Sequence, residues 1–421
     1  MSDLAVFDRY ESEVRGYIRS FPVVFERAHG SVLVTEDGRE FLDFFSGAGV
    51  VNYGHNNPVF TAALIEYLQS GGIIHGLDMA TSAKRDFIEA FQRLVLAPRG
   101  LNYKIQFTGP TGANAVESAL KLARQATGRQ NVVAFTNGFH GLSLGALAAT
   151  GNEKYRAAGG VSLGDVTRLP YDGYLGDGVD TLDLFERMLD DPGSGLDLPA
   201  AVIVETIQGE GGINVASPEW LRRLRTLTEN RGILLIVDDI QSGVGRSGEF
   251  FSFEQSGIVP DLVTVSKSIS ASGLPMAILL MDPAIDVWKP GAHTGTFRGN
   301  NLAFVSARVA IETYWSDTAF TEVIVEREAQ LRAALESIAA EFPVAEFTVR
   351  GRGLMYGLAS TAHPELAGTV SQRAFERGVV IETSGARDEV LKFLPALTIS
   401  AEELDRGLAV IRESLTAALA G

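Results

Sequence analysis

ILLIVDDIQSG, residues 233–243, and PDLVTVSKSIS, residues 260–270, decide how this chain folds. Each opens on a short β-branched run too continuously apolar for a half-exposed strand, so each reads as a strand buried on both faces. Three more runs share that character: NVVAF (131–135), AAVIVE (200–205) and MAILLM (276–281). Amphipathic stretches separate them, the pattern of an α/β sheet covered by helices. One such helix is marked at both ends, with Ser217 as its cap, Pro218 in its first turn and Gly232 at its stop.

Nearer the amino terminus, SVLVTEDGREFLDFF (31–45) reads as a hairpin turning on Asp37-Gly38. A patch rich in Gly, Asp and Pro from Tyr171 to Pro199 surrounds a short amphipathic piece and bridges two sheet strands across the surface. Past residue 300 the composition turns helical, then gives strand-like runs at FTVRG (347–351) and VVIET (379–383). The expected division is an amino-terminal segment and hairpin over 1–59, a large domain over 60–299 and a small domain over 300–421. The hairpin is expected to join the carboxy-terminal part, because neither has a full core alone.

Of 421 residues, 52 are acidic and 36 basic, a formal charge of −16 that repels phosphate backbones and anionic lipid. Nucleic acid and membrane surfaces are therefore not expected as partners. With no cysteine there is no disulfide, thiolate metal site or cysteine nucleophile, and no metal site is expected. The amino terminus lacks the apolar core of a signal peptide and no run approaches the ~18 apolar residues of a membrane span, so the expected location is cytoplasmic.

Three segments could carry chemistry. In TGPTGANAVESALKLARQA (108–126) a Gly-rich turn enters a helix, where Thr111, Gly112 and Ala113 could hold an anion on free N–H groups; an ordinary helix cap would look the same. In ILLIVDD, Asp238 and Asp239 close a buried run, so at least one carboxylate stands at the sheet edge where ligands gather, or else caps a helix. In DLVTVSK, Lys267 ends a strand, where desolvation would make its amine nucleophilic, although most lysines are solvated. Gly243, Gly245 and Gly248 spell GxGxxG, but no helix pattern follows and a dinucleotide fingerprint is rejected. Together, a phosphate-binding helix start, a buried acid and a strand-end lysine are what pyridoxal 5'-phosphate asks of a protein. Phe139 and His140 in NGFHG (137–141) could stack on its ring and hydrogen-bond nearby, or serve only as core.

On these motifs the chain resembles the class III, or omega, pyridoxal-phosphate aminotransferases over almost its whole length. DDIQSGVGRSG followed by Lys267 is similar to the family signature, with Asp239 where a Glu is usual. The resemblance implies a fold type I transferase: a large domain built on a mostly parallel seven-stranded sheet, with a smaller α+β domain. It implies that Lys267 and Asp238 are catalytic, Asp238 pairing with the pyridine nitrogen. Gln241 would lie near the phenolic oxygen, Phe139 on the ring, and Thr111, Gly112 and Ala113 on the phosphate. Thr296, in HTGTFRGNN (293–301), would reach the phosphate of a neighbouring subunit, implying a homodimer at least, or a dimer of dimers.

Within the class, VETIQGEGGINVAS (204–217) and SKSISASGLPMA (266–277) resemble the transaminases that make L-2,4-diaminobutyrate in ectoine biosynthesis. That implies transfer of the amino group of L-glutamate to L-aspartate 4-semialdehyde, an osmoadaptive step. The alternative is another class III enzyme acting on ornithine, 4-aminobutyrate or a siderophore-directed diaminobutyrate pathway. Glu210 corresponds to the glutamate that relatives use as a gate between substrates. Its usual arginine partner is replaced by Lys392 in EVLKFLPAL (389–397), expected to meet a substrate carboxylate as a point charge.

Overall fold

The computed structural model describes residues 4–360 and 362–420. Its largest sheet runs in the order Lys104–Phe107, Ile278–Met281, Leu262–Val265, Leu234–Asp238, Ala201–Val204, Val132–Phe135, Val166–Leu169. Ile278–Met281 is antiparallel to both neighbours and every other pair is parallel. The five apolar runs of the sequence supply its interior, where residues such as Val202, Ile236 and Val263 are wholly buried. The remaining two strands are the edges, with polar and half-buried positions that a search for continuous apolar runs passes over.

The helix Pro218–Asn230 starts where Ser217 Oγ accepts the Trp220 N–H at 3.2 Å, and the chain leaves it through Gly232 at φ 58°. Val32–Thr35 and Glu40–Asp43 form the antiparallel hairpin, extended by Phe25–His29. On its other side Glu40–Asp43 pairs in parallel with Val379–Val380, so the two ends of the chain share one four-stranded sheet. A second four-stranded sheet, wholly antiparallel, holds Phe347–Arg352, Met355–Ser360, Val390–Phe393 and Glu382–Ser384. The helix Asn301–Tyr314 packs against Ser82–Ala90 and sets Phe304 on Phe87 and Phe107 beside the large sheet. Its apolar face is buried there, against the larger core. No helix among the described residues is long and apolar enough to cross a membrane.

The segments meet at Arg246, whose side chain is fully buried. Its guanidinium donates to the Leu354 and Pro395 carbonyls at 2.8 and 2.5 Å and to Asn52 Oδ1 at 2.6 Å. Burial lowers its pKa to about 9, with Asp43 the charge that opposes the shift. Gly353 allows this approach, since a Cβ there would lie 2.4 Å from the Arg246 carbonyl oxygen. Arg246→Met would leave three buried acceptors without a donor, at about 1–3 kcal/mol each. Urea denaturation is expected to show a clearly lower midpoint, and an unchanged midpoint would mean the guanidinium holds nothing together.

Candidate active site

Residues from several strand ends converge on a cavity of about 240 Å³ at the carboxyl edge of the large sheet. Asp238 is the last residue of its strand and is buried. Its Oδ1 accepts the Thr264 hydroxyl at 3.0 Å and the Ile240 N–H at 3.3 Å, and its Oδ2 lies 2.7 Å from His140 Nδ1. A carboxylate has lone pairs for about four such bonds, so one more donor can be received from the cavity. Asp239 turns the other way: it takes the Ser242 hydroxyl at 3.0 Å and the Ser252 N–H at 3.2 Å, and its pKa is raised by burial to about 6. Of the two aspartates, only Asp238 lines the cavity.

Lys267 stands two residues beyond its strand, at φ 52°, a backbone conformation that costs a non-glycine residue free energy. Its Nζ donates to the Ala48 carbonyl at 2.9 Å. Burial, the largest influence, lowers its pKa, while the charge of Glu210 works against the shift. Ala48 belongs to the turn Ser46–Gly49, in which Gly47 and Ala48 are both left-handed. Ser268 Oγ lies 2.8 Å from both the Gly49 and Val50 carbonyl oxygens, which share its one proton, and accepts the Asn52 N–H at 3.1 Å, clamping this turn to the lysine loop.

The helix Gly112–Thr127 begins at the cavity wall, and its first N–H groups, on Gly112 and Ala113, have no partner within the helix. A side chain at 112 would strike Ile240, whose Cδ1 lies 2.9 Å from the position of a Cβ. Thr111 caps this helix, is exposed, and is not part of the cavity wall. Phe139 forms one wall, held edge-on to Tyr155 at 5.4 Å.

Glu205, which the sequence reading passed over, also lines the cavity. It accepts the Phe139 N–H at 2.9 Å, and burial, then the charge of Asp238, hold its pKa well above the carboxylate range. Its signal was present: like Asp238, it closes an apolar strand run.

Gln241 Nε2 donates to the Ala48 carbonyl and to Glu210 Oε1, both at 3.0 Å, whereas its buried Oε1 has no protein partner. Lys392 lies behind this layer and is fully buried. Its ammonium is 2.7 Å from Glu210 Oε1 and 2.8 Å from Glu382 Oε1. Lys392, expected from the sequence to meet a substrate carboxylate, is held here by these two carboxylates and stands off the cavity wall, with Glu210 between it and the cavity. Burial alone would raise the pKa of Glu210, but Lys392 and Lys267 bring it down to about 2. Thr296 is also off the wall, exposed on a separate loop where its carbonyl oxygen lies 2.7 Å from His75 Nε2.

An amine of lowered basicity, an anchored carboxylate, free N–H groups at a helix start, an aromatic wall and an unpartnered buried acceptor fit pyridoxal 5'-phosphate. Lys267 would meet its aldehyde, Asp238 its ring nitrogen and the Gly112–Ala113 amides its phosphate.

Residues 15–415 match the family model described as aminotransferase class-III. The chain is 63% identical over 417 residues to the diaminobutyrate–2-oxoglutarate transaminase of Bordetella parapertussis, covering 99% of this chain and 96% of that one. It is 56% identical to the enzyme of the same name from Streptomyces avermitilis, covering 98% of each. Among solved structures, the ornithine aminotransferase of Toxoplasma gondii superposes with a TM-score of 0.85 at 26% identity, over 98% of this chain and 94% of that one. A Bacillus anthracis aminotransferase superposes at 0.87 with 22% identity over 98% of both chains, a likeness of fold.

The glycine before Glu210 is a sharp test of this packing. At position 209 a Cβ would fall 1.6 Å from Gln241 Oε1. Gly209→Ala is expected to fold, to displace Gln241, and to cut turnover by at least tenfold; kinetics beside circular dichroism would show it.

Proposed function

The chain belongs to the class III aminotransferases, and we propose that it moves the amino group of L-glutamate to L-aspartate 4-semialdehyde, giving L-2,4-diaminobutyrate and 2-oxoglutarate. The observation that carries this reading is the near full-length identity to diaminobutyrate–2-oxoglutarate transaminases, joined to a cavity with Lys267 and Asp238 on its wall. It is the amino-transfer step expected in ectoine synthesis.

Pyridoxal 5'-phosphate, when bound, supplies an aldehyde that condenses with amines and a ring that accepts the electrons left as a carbon–hydrogen bond breaks. The chain supplies the rest. Lys267 Nζ, its basicity lowered by burial, takes the proton from the substrate carbon and returns one at the neighbouring position, acting as base and then acid. Asp238 favours a protonated ring nitrogen, and its three protein donors keep it from turning away. Glu205, favoured in its protonated form, adds no second full charge beside it. Phe139 covers one face of the cavity and the helix start holds the anion.

The second substrate, the amino acceptor, arrives as an aldehyde whose far end is a charged amino acid. Glu210, on the cavity wall with Gln241 and Lys392 behind it, is the group we assign to sorting that end from the carboxylate of glutamate.

We further assign the working form as a homodimer at least. Phe297 is 68% exposed beside Thr296 and packs edge-on to His75 at 5.7 Å. Ile73, Ile74 and Met79 are exposed on the same segment as His75. So much apolar surface on one face asks to be covered, and a second copy would bring its Thr296 to the phosphate end.

Mixing the pyridoxal form with glutamate is expected to bleach its visible band, and L-aspartate 4-semialdehyde should restore it faster than the aldehydes derived from ornithine or 4-aminobutyrate. Lys267→Ala should abolish both changes and leave nothing for borohydride to fix. Asp238→Asn should keep the fold and slow the single-turnover rate by about a hundredfold or more; normal rates in either variant would remove that residue from the mechanism. Phe297→Asp should shift the sedimenting species toward monomer with loss of activity, and an unchanged sedimentation coefficient would place the interface elsewhere.

A further inference from the structure

Lys392 has two counter-ions, and they are not equivalent. Glu382 is its direct cross-strand partner in the antiparallel pair Glu382–Ser384 and Val390–Phe393, so sheet register fixes that contact. Tyr17, on the helix Tyr17–Ser20, donates its hydroxyl to Glu382 Oε2 at 3.2 Å and stacks obliquely on Phe45 at 4.8 Å, closing the outer side. Glu210 comes from a loop and keeps 23% of its side chain exposed. It lines both the main cavity and a second one of about 220 Å³ bordered by Asn152, Tyr155 and Arg387. Glu210 therefore has room to turn aside, whereas Glu382 does not.

Charge arithmetic follows from the geometry. With both glutamates ionised the trio carries a net −1; with Glu210 turned away, Lys392 and an ionised Glu382 cancel. A carboxylate arriving from the cavity would then meet a neutral pair in a poorly solvated place, with little to gain. A proton on Glu382 changes this, because Lys392 then shows an uncompensated positive charge.

Resting on the amino-transfer reading above, we infer that Glu382 is a specificity-determining positioning residue: one proton taken up or released there sets whether Lys392 can receive the carboxylate of a dicarboxylic donor. When Glu382 is ionised, the net negative trio favours the ammonium at the amino-acid end of the acceptor aldehyde. The groups facing Glu382 agree with such a role. Burial raises its pKa, Lys392 opposes the rise and Glu210 adds to it, leaving it at about 7, with Lys267 a weaker opposing charge. Tyr17 and Tyr155, whose own pKa values are raised chiefly by burial, stay neutral and add no charge.

Because the charged form of Glu382 is disfavoured in the protein, the state that frees Lys392 is full at low pH and is lost as pH rises through about 7. The test uses the cofactor-loaded protein and glutarate, a dicarboxylate with no amine to transfer. Calorimetric titration between pH 6.5 and 8.5 is expected to show affinity falling roughly tenfold per pH unit above 7, with about one proton taken up per glutarate in buffers of different ionisation heat. Glu382→Gln should bind glutarate tightly and without that slope or proton. A flat wild-type profile with no proton uptake overturns the inference, as does a variant that keeps the slope or binds more weakly at every pH. If the variant does not fold, the wild-type proton count decides alone. Bleaching by glutamate is read in parallel: its absence overturns the amino-transfer reading, whereas bleaching without proton-linked glutarate binding overturns only the role of Glu382.

Discussion

A guanidinium with no water to solvate it imposes the geometry from which the rest of this molecule is built. Arg246 must find acceptors inside the protein, and it finds them on three segments distant in sequence: Asn52, Leu354 and Pro395. None of those acceptors is a carboxylate, so the arginine is held by dipoles and pays much of its desolvation cost, as its lowered pKa records. Such a group tolerates few arrangements of its neighbours. It holds the amino-terminal loop, the turn after Asp238 and the small antiparallel sheet in a single relation, and the cavity lies among these parts.

The site itself uses the same economy of position. Ala48 offers its carbonyl to both Lys267 and Gln241 from a left-handed turn, and Lys267 is left-handed as well. Two strained backbone segments face one another, and the Ser268 hydroxyl stitches them together, sharing its proton between two carbonyls and accepting one N–H. Flexible side chains contribute the chemistry here, but the backbone decides where they can stand. Asp238 follows the opposite rule: its place is set by a regular strand, and its orientation by the side chains of Thr264 and His140.

How much of this could be read from the residues depended on distance along the chain. The five interior strands were legible because a strand buried on both faces must be apolar at every position. Lys104–Phe107 and Val166–Leu169 were not, because an edge strand shows polar residues to solvent and loses the signature. Asp238, Lys267 and Gly112 were legible as polar or small residues at the ends of patterned runs. Glu205 obeyed the same rule and was overlooked, since a single acid after an apolar run also describes an ordinary strand end. The Glu382 partner of Lys392 was beyond reach, because that contact depends on the register of two strands, whereas the Glu210 partner came from the family resemblance alone. Nor could the sequence say that the helix Asn301–Tyr314 would choose the larger core, because its apolar face fits either neighbour.

One pairing has a temporal meaning. Leu42 and Asp43 lie beside Val379 and Val380, so one strand waits for another made 337 residues later (379 less 42). Closing so long a loop costs entropy and comes late. The large sheet, whose seven strands all lie between residues 104 and 281, can assemble before residue 379 is made. The turn that presents Ala48 follows Asp43, whose Oδ1 accepts the Phe45 and Ser46 N–H groups at 2.8 Å, so closing the junction settles one end of the turn while Ser268 holds the other. A nascent chain would therefore own a nearly finished scaffold before Glu382 and Lys392, the charges that stand behind its centre, had been made.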